Sequence, residues 1–151
     1  MALDPETLLR EAKALQEELV ALRRDIHAHP ELGSCEVRTT ALIKKYLEEL
    51  GIEVRPCTET GVLGILYGGK PGKTIGLRAD IDALPIQEET GLPFASKNAG
   101  VMHACGHDLH TASLMGAAKI LSAHRDALCG NVKFFFQPDE EGNGGAERMV
   151  R

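Results

Sequence analysis

The sequence predicts an α/β fold with a partly parallel sheet, three-layer-like, with helices on both faces. Three observations carry this. Leu8, Ala12, Leu15, Leu19, Leu22 and Ile26 recur in alternating steps of four and three, the period of an amphipathic helix. Residues 62–67 and 74–79 are short apolar runs of strand length bounded by turn residues. Finally, residues 74–79, a helical pattern from about His107, and the apolar run 132–136 form a strand–helix–strand succession. Such a crossover calls for parallel pairing and a right-handed connection. At 151 residues the chain is long enough for one core.

Taken in order, Asp4-Pro5-Glu6 opens a helix: a capping aspartate, a proline in the first turn and an acid favoured by the helix dipole. One long helix is expected up to His29-Pro30-Glu31-Leu32-Gly33, because the residue before a proline disfavours helix. A second helix runs from a Ser34 cap through Ile43, Tyr46, Leu47 and Leu50 to Gly51, the expected terminator. Residues 52–55 read as a short strand. The strands 62–67 and 74–79 are joined by Gly68-Gly69-Lys70-Pro71-Gly72-Lys73, which reads as a hairpin turn. That loop lacks the spacing and the following helix of a phosphate-binding loop.

In the next strand Ile75, Leu77 and Ala79 alternate inward, and Asp80 and Asp82 stand where it should stop. Asp82 reads as an Asx turn ahead of Pro85; Asp80 is expected to do more. Residues 85–100 form a loop long enough to be a lid or rim. Leu114, Ala117, Ala118 and Leu121 mark the helix from His107, and Phe134, Phe135 and Phe136 are core strand residues. Residues 144–151 begin another helix without a cap, from which the chain is expected to be a piece of something longer.

Charge excludes several partners. The net charge is −5 with the signs interspersed, so no basic nucleic-acid footprint exists. No apolar run reaches membrane-spanning length, and the acidic, amphipathic N-terminus lacks a signal peptide's layout. Cys35, Cys57, Cys105 and Cys129 are scattered without a small-disulfide framework, which predicts a reducing, cytoplasmic location.

The chemistry concentrates in Val101-Met102-His103-Ala104-Cys105-Gly106-His107-Asp108-Leu109-His110, with three imidazoles, a thiol and a carboxylate in ten residues. Cys105 and His107 share no helical face, so joint ligation needs a bend, and Gly106 permits one. The alternative is a buried free cysteine beside capping polar residues. A second cluster, Gln137-Pro138-Asp139-Glu140-Glu141-Gly142, follows a buried strand. Asp80 and the two glutamates both fall at the carboxyl ends of strands, where sites of parallel sheets form. His27 and His124 read as surface or core-edge residues and His29 as structural. His103 and His110 are close enough to orient ligands.

Four segments in this order carry a resemblance: Arg24-Asp25-Ile26-His27-Ala28-His29-Pro30-Glu31-Leu32-Gly33, Leu77-Arg78-Ala79-Asp80-Ile81-Asp82-Ala83-Leu84-Pro85, Met102-His103-Ala104-Cys105-Gly106-His107-Asp108 and Phe136-Gln137-Pro138-Asp139-Glu140-Glu141-Gly142. Together they resemble the M20 metallopeptidases in their amidohydrolase branch, which includes hippurate, N-acyl-amino-acid and auxin-conjugate hydrolases. The resemblance implies a catalytic α/β domain with a dimetal site, interrupted by a dimerisation domain. Residues 1–151 match the N-terminal part of that catalytic domain, without the dimerisation domain or its C-terminal part. The full-length form is expected to be a homo-oligomer.

By the same resemblance, Cys105 and His107 match the first metal ligands, Glu141 a further ligand and Glu140 the general base. Asp80 matches, more weakly, a carboxylate that orients a ligand, since Arg78 stands where other branches have a histidine ligand. Asp139 stands where the family usually has alanine. Two further histidine ligands belong downstream of Arg151. The implied cofactors are two divalent cations, Zn2+ or Mn2+, with Co2+ a further option; thiolate, imidazole and carboxylate together suit zinc. The implied reaction is hydrolysis of an N-acyl amino acid or similar amide conjugate by water whose pKa the metals lower from near 16 to about 7. Glu140 would move the proton. Two alternatives remain: a catalytically inactive metal-binding fragment, and a hydrolase with Cys105 as nucleophile and His103 or His107 as base.

Overall fold

The computed structural model describes residues 4–142 and 144–151. Helix α1 (Pro5–Ala14) begins as expected, the Asp4 carboxylate accepting the Glu6 and Thr7 N–H groups at 3.4 and 3.0 Å. The single long helix is in fact two, because α2 (Gln16–Ala28) starts after a break at Leu15. The Leu15 N–H is shared between the carbonyls of Glu11 and Ala12, both at 3.2 Å. No proline or glycine marks this break; both helices lie against a later helix, and packing overrides propensity there.

Helix α3 (Val37–Glu49) ends ahead of Gly51, whose φ of +66° makes it the expected left-handed terminator. It starts three residues after the expected Ser34 cap. Ser34 has a φ of +64°, and its hydroxyl is engaged by Asp139 instead.

Four strands follow: β1 (Glu53–Pro56), β2 (Val62–Tyr67), β3 (Lys70–Asp80) and β4 (Cys129–Gln137), in the order β1-β2-β4-β3. Between β3 and β4 lie α4 (His107–Ala123) and a 3-10 turn, Arg125–Ala127; α5 (Gly145–Val150) closes the chain. The pairing of β3 with β4 is parallel, as the crossover requires, while β2 and β4 are antiparallel. This is the partly parallel α/β sheet expected.

The hairpin at residues 68–73 does not form, because β4 lies between β2 and β3. The Gly68 N–H donates to the Gly130 carbonyl at 3.0 Å and the Gly69 N–H to the Arg125 carbonyl at 2.8 Å, and β3 already opens at Lys70 opposite Cys129. The glycines carry the chain closely past the start of β4: a Cβ on Gly130, where φ is +95°, would lie 1.9 Å from the Lys73 carbonyl oxygen.

The core joins Ile43 and Leu47 of α3, Leu114, Met115 and Ala118 of α4, and Val62, Leu66, Val132, Phe134 and Phe136 of the sheet. Phe135 alternates to the other face and is half-buried. Ile75 departs from the expected inward alternation and is 55% exposed, because β3 is the outer strand of the sheet. Asp80 and Gln137 end the parallel pair side by side. Among the described residues no helix is long and apolar enough to cross a membrane.

Candidate metal centre

Gly106 adopts a left-handed φ of +93° directly before α4, and this bend brings Cys105 and His107 to one place. His107 is the first residue of α4. Its Nδ1 lies 3.0 Å from the Asp82 carbonyl and 3.1 Å from Asp82 Oδ1, so the proton belongs on Nδ1 and the Nε2 lone pair is left to coordinate. Nε2 faces Asp80 Oδ1 at 3.6 Å, Glu140 Oε2 at 3.8 Å and Glu141 Oε1 at 4.0 Å. Donor atoms of Cys105, His107 and Glu141 all lie within 4.8 Å of one another, close enough to share one cation. Asp80, His107 and His110 form a second such group.

Asp82 does more than form the Asx turn that the sequence suggests. It is 1% exposed; one carboxylate oxygen takes His107 and the other accepts the Glu141 N–H at 2.9 Å. Burial works against its charge, yet His107 and the N–H groups of Glu141 and Glu140 hold its carboxyl below the usual range. Two acids spaced by one residue where β3 ends are the signal that marks it.

Asp80 faces the centre from the other side. Its Oδ1 is 2.5 Å from His110 Nδ1 and its Oδ2 3.2 Å from Arg78, so it is His110, and not His107, that it holds through Nδ1. Burial opposes the Asp80 charge, and His110, His107 and Arg78 together keep its carboxyl below the usual range. The His107 imidazolium is penalised by burial, but Asp82, Cys105 and Asp80 push its pKa up to about 11. A divalent cation on Nε2 would take the place of the second ring proton that these acids favour. The donors are a thiol, an imidazole and a carboxylate, a set that fits zinc and tolerates manganese or cobalt.

Consecutive side chains on an extended backbone point oppositely, yet Glu140 and Glu141 both approach His107 Nε2. The chain must therefore bend, and the residue before them, Asp139, has a φ of +53°. The Asp139 side chain turns away toward Ser34 and Arg148.

The remaining histidines divide. His124 is partly buried beside Glu11 at 2.7 Å, and His29 donates to the Asp25 carbonyl at 2.8 Å, a structural bond as expected. His27 is neither at the surface nor at the edge of the core: it is 3% exposed, with Nδ1 2.7 Å from Asp108 Oδ2 and Nε2 3.2 Å from Glu88 Oε1. Glu88 also accepts the Ser96 N–H at 2.6 Å, so the loop 85–100 is folded around this carboxylate and tethered to α2 as a rim. His110 keeps its bond to Asp80. His103 orients nothing among the described residues; both its ring nitrogens lack a hydrogen-bond partner there, and burial pushes its pKa down to about 4.

The profile of peptidase family M20/M25/M40 matches residues 76–151. N-acetyl-L-cysteine deacetylase of Bacillus subtilis is 52% identical over 137 residues, 90% of this chain and 33% of that protein. N-acyl-L-amino acid amidohydrolase of Geobacillus stearothermophilus is 48% identical over 148 residues, 97% of this chain and 40% of that protein. A Bacillus subtilis crystal structure described as a dinuclear metal binding peptidase from the M20 family superposes with a TM-score of 0.87 at 51% identity, covering 91% of this chain and 39% of that one. The chain thus spans between 33% and 40% of the length of these two curated relatives.

Proposed function

Because the chain belongs to peptidase family M20/M25/M40, we propose that it forms the metal-binding part of an amidohydrolase that cleaves the amide bond of N-acyl amino acids. The observation that carries this is the approach of Cys105, His107 and Glu141 within 4.8 Å of one another. The names of two close relatives, a deacetylase of N-acetyl-L-cysteine and an N-acyl-L-amino acid amidohydrolase, support the substrate class.

Cys105, His107 and Glu141 would hold a pair of divalent cations, Zn2+, Mn2+ or Co2+, together with two histidines that the family resemblance places beyond residue 151. When bound, the cations supply Lewis acidity toward the amide carbonyl and acidify a water. Glu140, with Oε2 3.8 Å from His107 Nε2, takes the proton from the attacking water and returns it to the leaving amine. Asp82 keeps the His107 lone pair aimed at the cations. Asp80, held by His110 and Arg78, supports the positive charge from the opposite side.

In this reading residues 1–151 are the first part of a catalytic domain whose complete form has a dimerisation domain and assembles as a homo-oligomer. Four free cysteines accord with a cytoplasmic location. Ligation is incomplete without the downstream histidines, so the chain alone turns over little or no substrate.

The test compares this chain with a fusion to the downstream remainder of the Bacillus subtilis deacetylase, assayed for acetate release from N-acetyl-L-cysteine. Turnover by the fusion that chelator and Glu140→Gln both abolish is expected. Turnover that survives chelation but is lost to iodoacetamide would transfer the reaction to Cys105 as nucleophile.

A further inference from the structure

Asp139 stands between the end of β4 and the Glu140–Glu141 pair, and it is 2% exposed. Its Oδ2 accepts hydrogen bonds from Ser34 Oγ at 3.0 Å and from Arg148 Nη2 at 2.9 Å. One partner comes from the connection before α3 and the other from α5. Its own N–H donates to Glu36 Oε1 at 2.8 Å. Glu36 is fully buried, and its other oxygen accepts the Thr60 hydroxyl at 2.6 Å. Both the side chain and the backbone of Asp139 are therefore anchored away from the metal-ligand cluster.

The backbone at this residue is in the left-handed region, φ +53°, which L side chains other than Asn and Asp rarely adopt. Space has been left for the carboxylate: a Cβ would lie 2.1 Å from Asp139 Oδ1 if added to Gly33, and 2.5 Å if added to Gly142. A buried, three-way anchored acid in a disfavoured conformation is over-determined by its surroundings. It sits immediately before the bend that gives two consecutive glutamates a common direction.

Resting on the metal-centre reading above, we propose that Asp139 is a positioning residue for the Glu140–Glu141 turn. Its carboxylate latches that turn to Ser34 and Arg148, and the latch sets the bend that carries Glu141 to Cys105 and His107. It acts on the glutamates through the backbone and leaves the Cys105 turn untouched.

The experiment titrates Co2+ into this chain, read by absorption, beside amide hydrogen exchange of the metal-free protein. For Asp139→Ala, Co2+ affinity should fall about tenfold or more while the thiolate-to-cobalt band persists. Asp139→Asn, which tolerates the left-handed backbone and keeps an acceptor for Ser34, should recover part of that loss. Exchange at residues 140–142 should quicken in Asp139→Ala with β4 unchanged. Ser34→Ala should move both readouts the same way to a smaller extent, which keeps the test open if Asp139→Ala does not fold. Wild-type affinity together with wild-type exchange at 140–142 in the variants would overturn the proposal. A wild-type chain that binds no Co2+ would show that Cys105, His107 and Glu141 do not hold a cation by themselves, and the exchange data would still decide whether Asp139 sets the turn.

Discussion

Asp82 and His107 meet through two atoms of the same residue: Asp82 Oδ1 at 3.1 Å and its carbonyl oxygen at 3.0 Å both face Nδ1 of the imidazole. The second carboxylate oxygen takes the Glu141 N–H. One buried side chain thereby fixes the first residue of α4 and the turn after β4 relative to each other. Asp82→Ala is expected to lower divalent-cation affinity about 10- to 100-fold and to destabilise the metal-free chain by about 1–3 kcal/mol, because the Glu141 N–H loses its acceptor while His107 keeps only the Asp82 carbonyl. Calorimetric titration and urea unfolding measure the two effects. Wild-type affinity in this variant would remove Asp82 from the centre.

Gly130 tests the insertion of β4 between β2 and β3. A side chain there meets the Lys73 carbonyl and must also adopt a φ of +95°. Gly130→Ala should cost at least about 2 kcal/mol in urea unfolding. A loss below about 0.5 kcal/mol, the size of an ordinary surface change, would mean that the crossing is looser than described.

Glu18 should make stability depend on pH. Lys119 Nζ lies 2.6 Å from its carboxylate and the Tyr46 hydroxyl donates to it at 3.0 Å. The lysine foremost, against partial burial and with Tyr46, holds the Glu18 carboxyl below the usual range. A depressed folded-state pKa stabilises fully above the ordinary glutamate pKa, and that contribution is lost as pH falls through the depressed value. Lys119→Met should therefore lower stability at neutral pH, by no more than about 1 kcal/mol for so exposed a pair. The difference from wild type should vanish in acid. A difference that grows on acidification would contradict this assignment.

The β3 edge predicts self-association. It is an outer strand of 11 residues with Ile75 more than half exposed, and its unpaired backbone groups can template a second chain. Light scattering should show concentration-dependent oligomers of this chain, reduced by Ile75→Lys. A clean monomer at high concentration would count against the edge as a contact.

Much of this was legible in the residues, and the failures have a common cause. The bounds of β2 at 62–67 and the opening of α4 at His107 follow from local runs and from Gly106. The parallel pairing of β3 and β4 follows from a connection rule. Pairing across distance is not written locally: nothing near Gly68 announces that β4, which begins at Cys129, fills the gap a hairpin would have closed. The break at Leu15 likewise comes from packing against α4. Asp82 and His27 depart from their sequence reading because their burial depends on partners remote in the chain, Glu141 for one and Asp108 and Glu88 for the other. Cys105, His107, Glu140 and Glu141 stand out without such knowledge, because each lies in a short polar cluster at a strand or helix end; the separate roles proposed for them come from the family resemblance.

In the proposed function, Cys105, His107 and Glu141 bind a common divalent centre. X-ray absorption of the Zn2+-loaded chain tests it most directly. One sulfur scatterer is expected at about 2.3 Å with nitrogen and oxygen at about 2.0–2.2 Å, the sulfur shell disappearing in Cys105→Ser and zinc binding itself failing in His107→Ala. A first shell without sulfur, or equal zinc binding by wild type and His107→Ala, would contradict it.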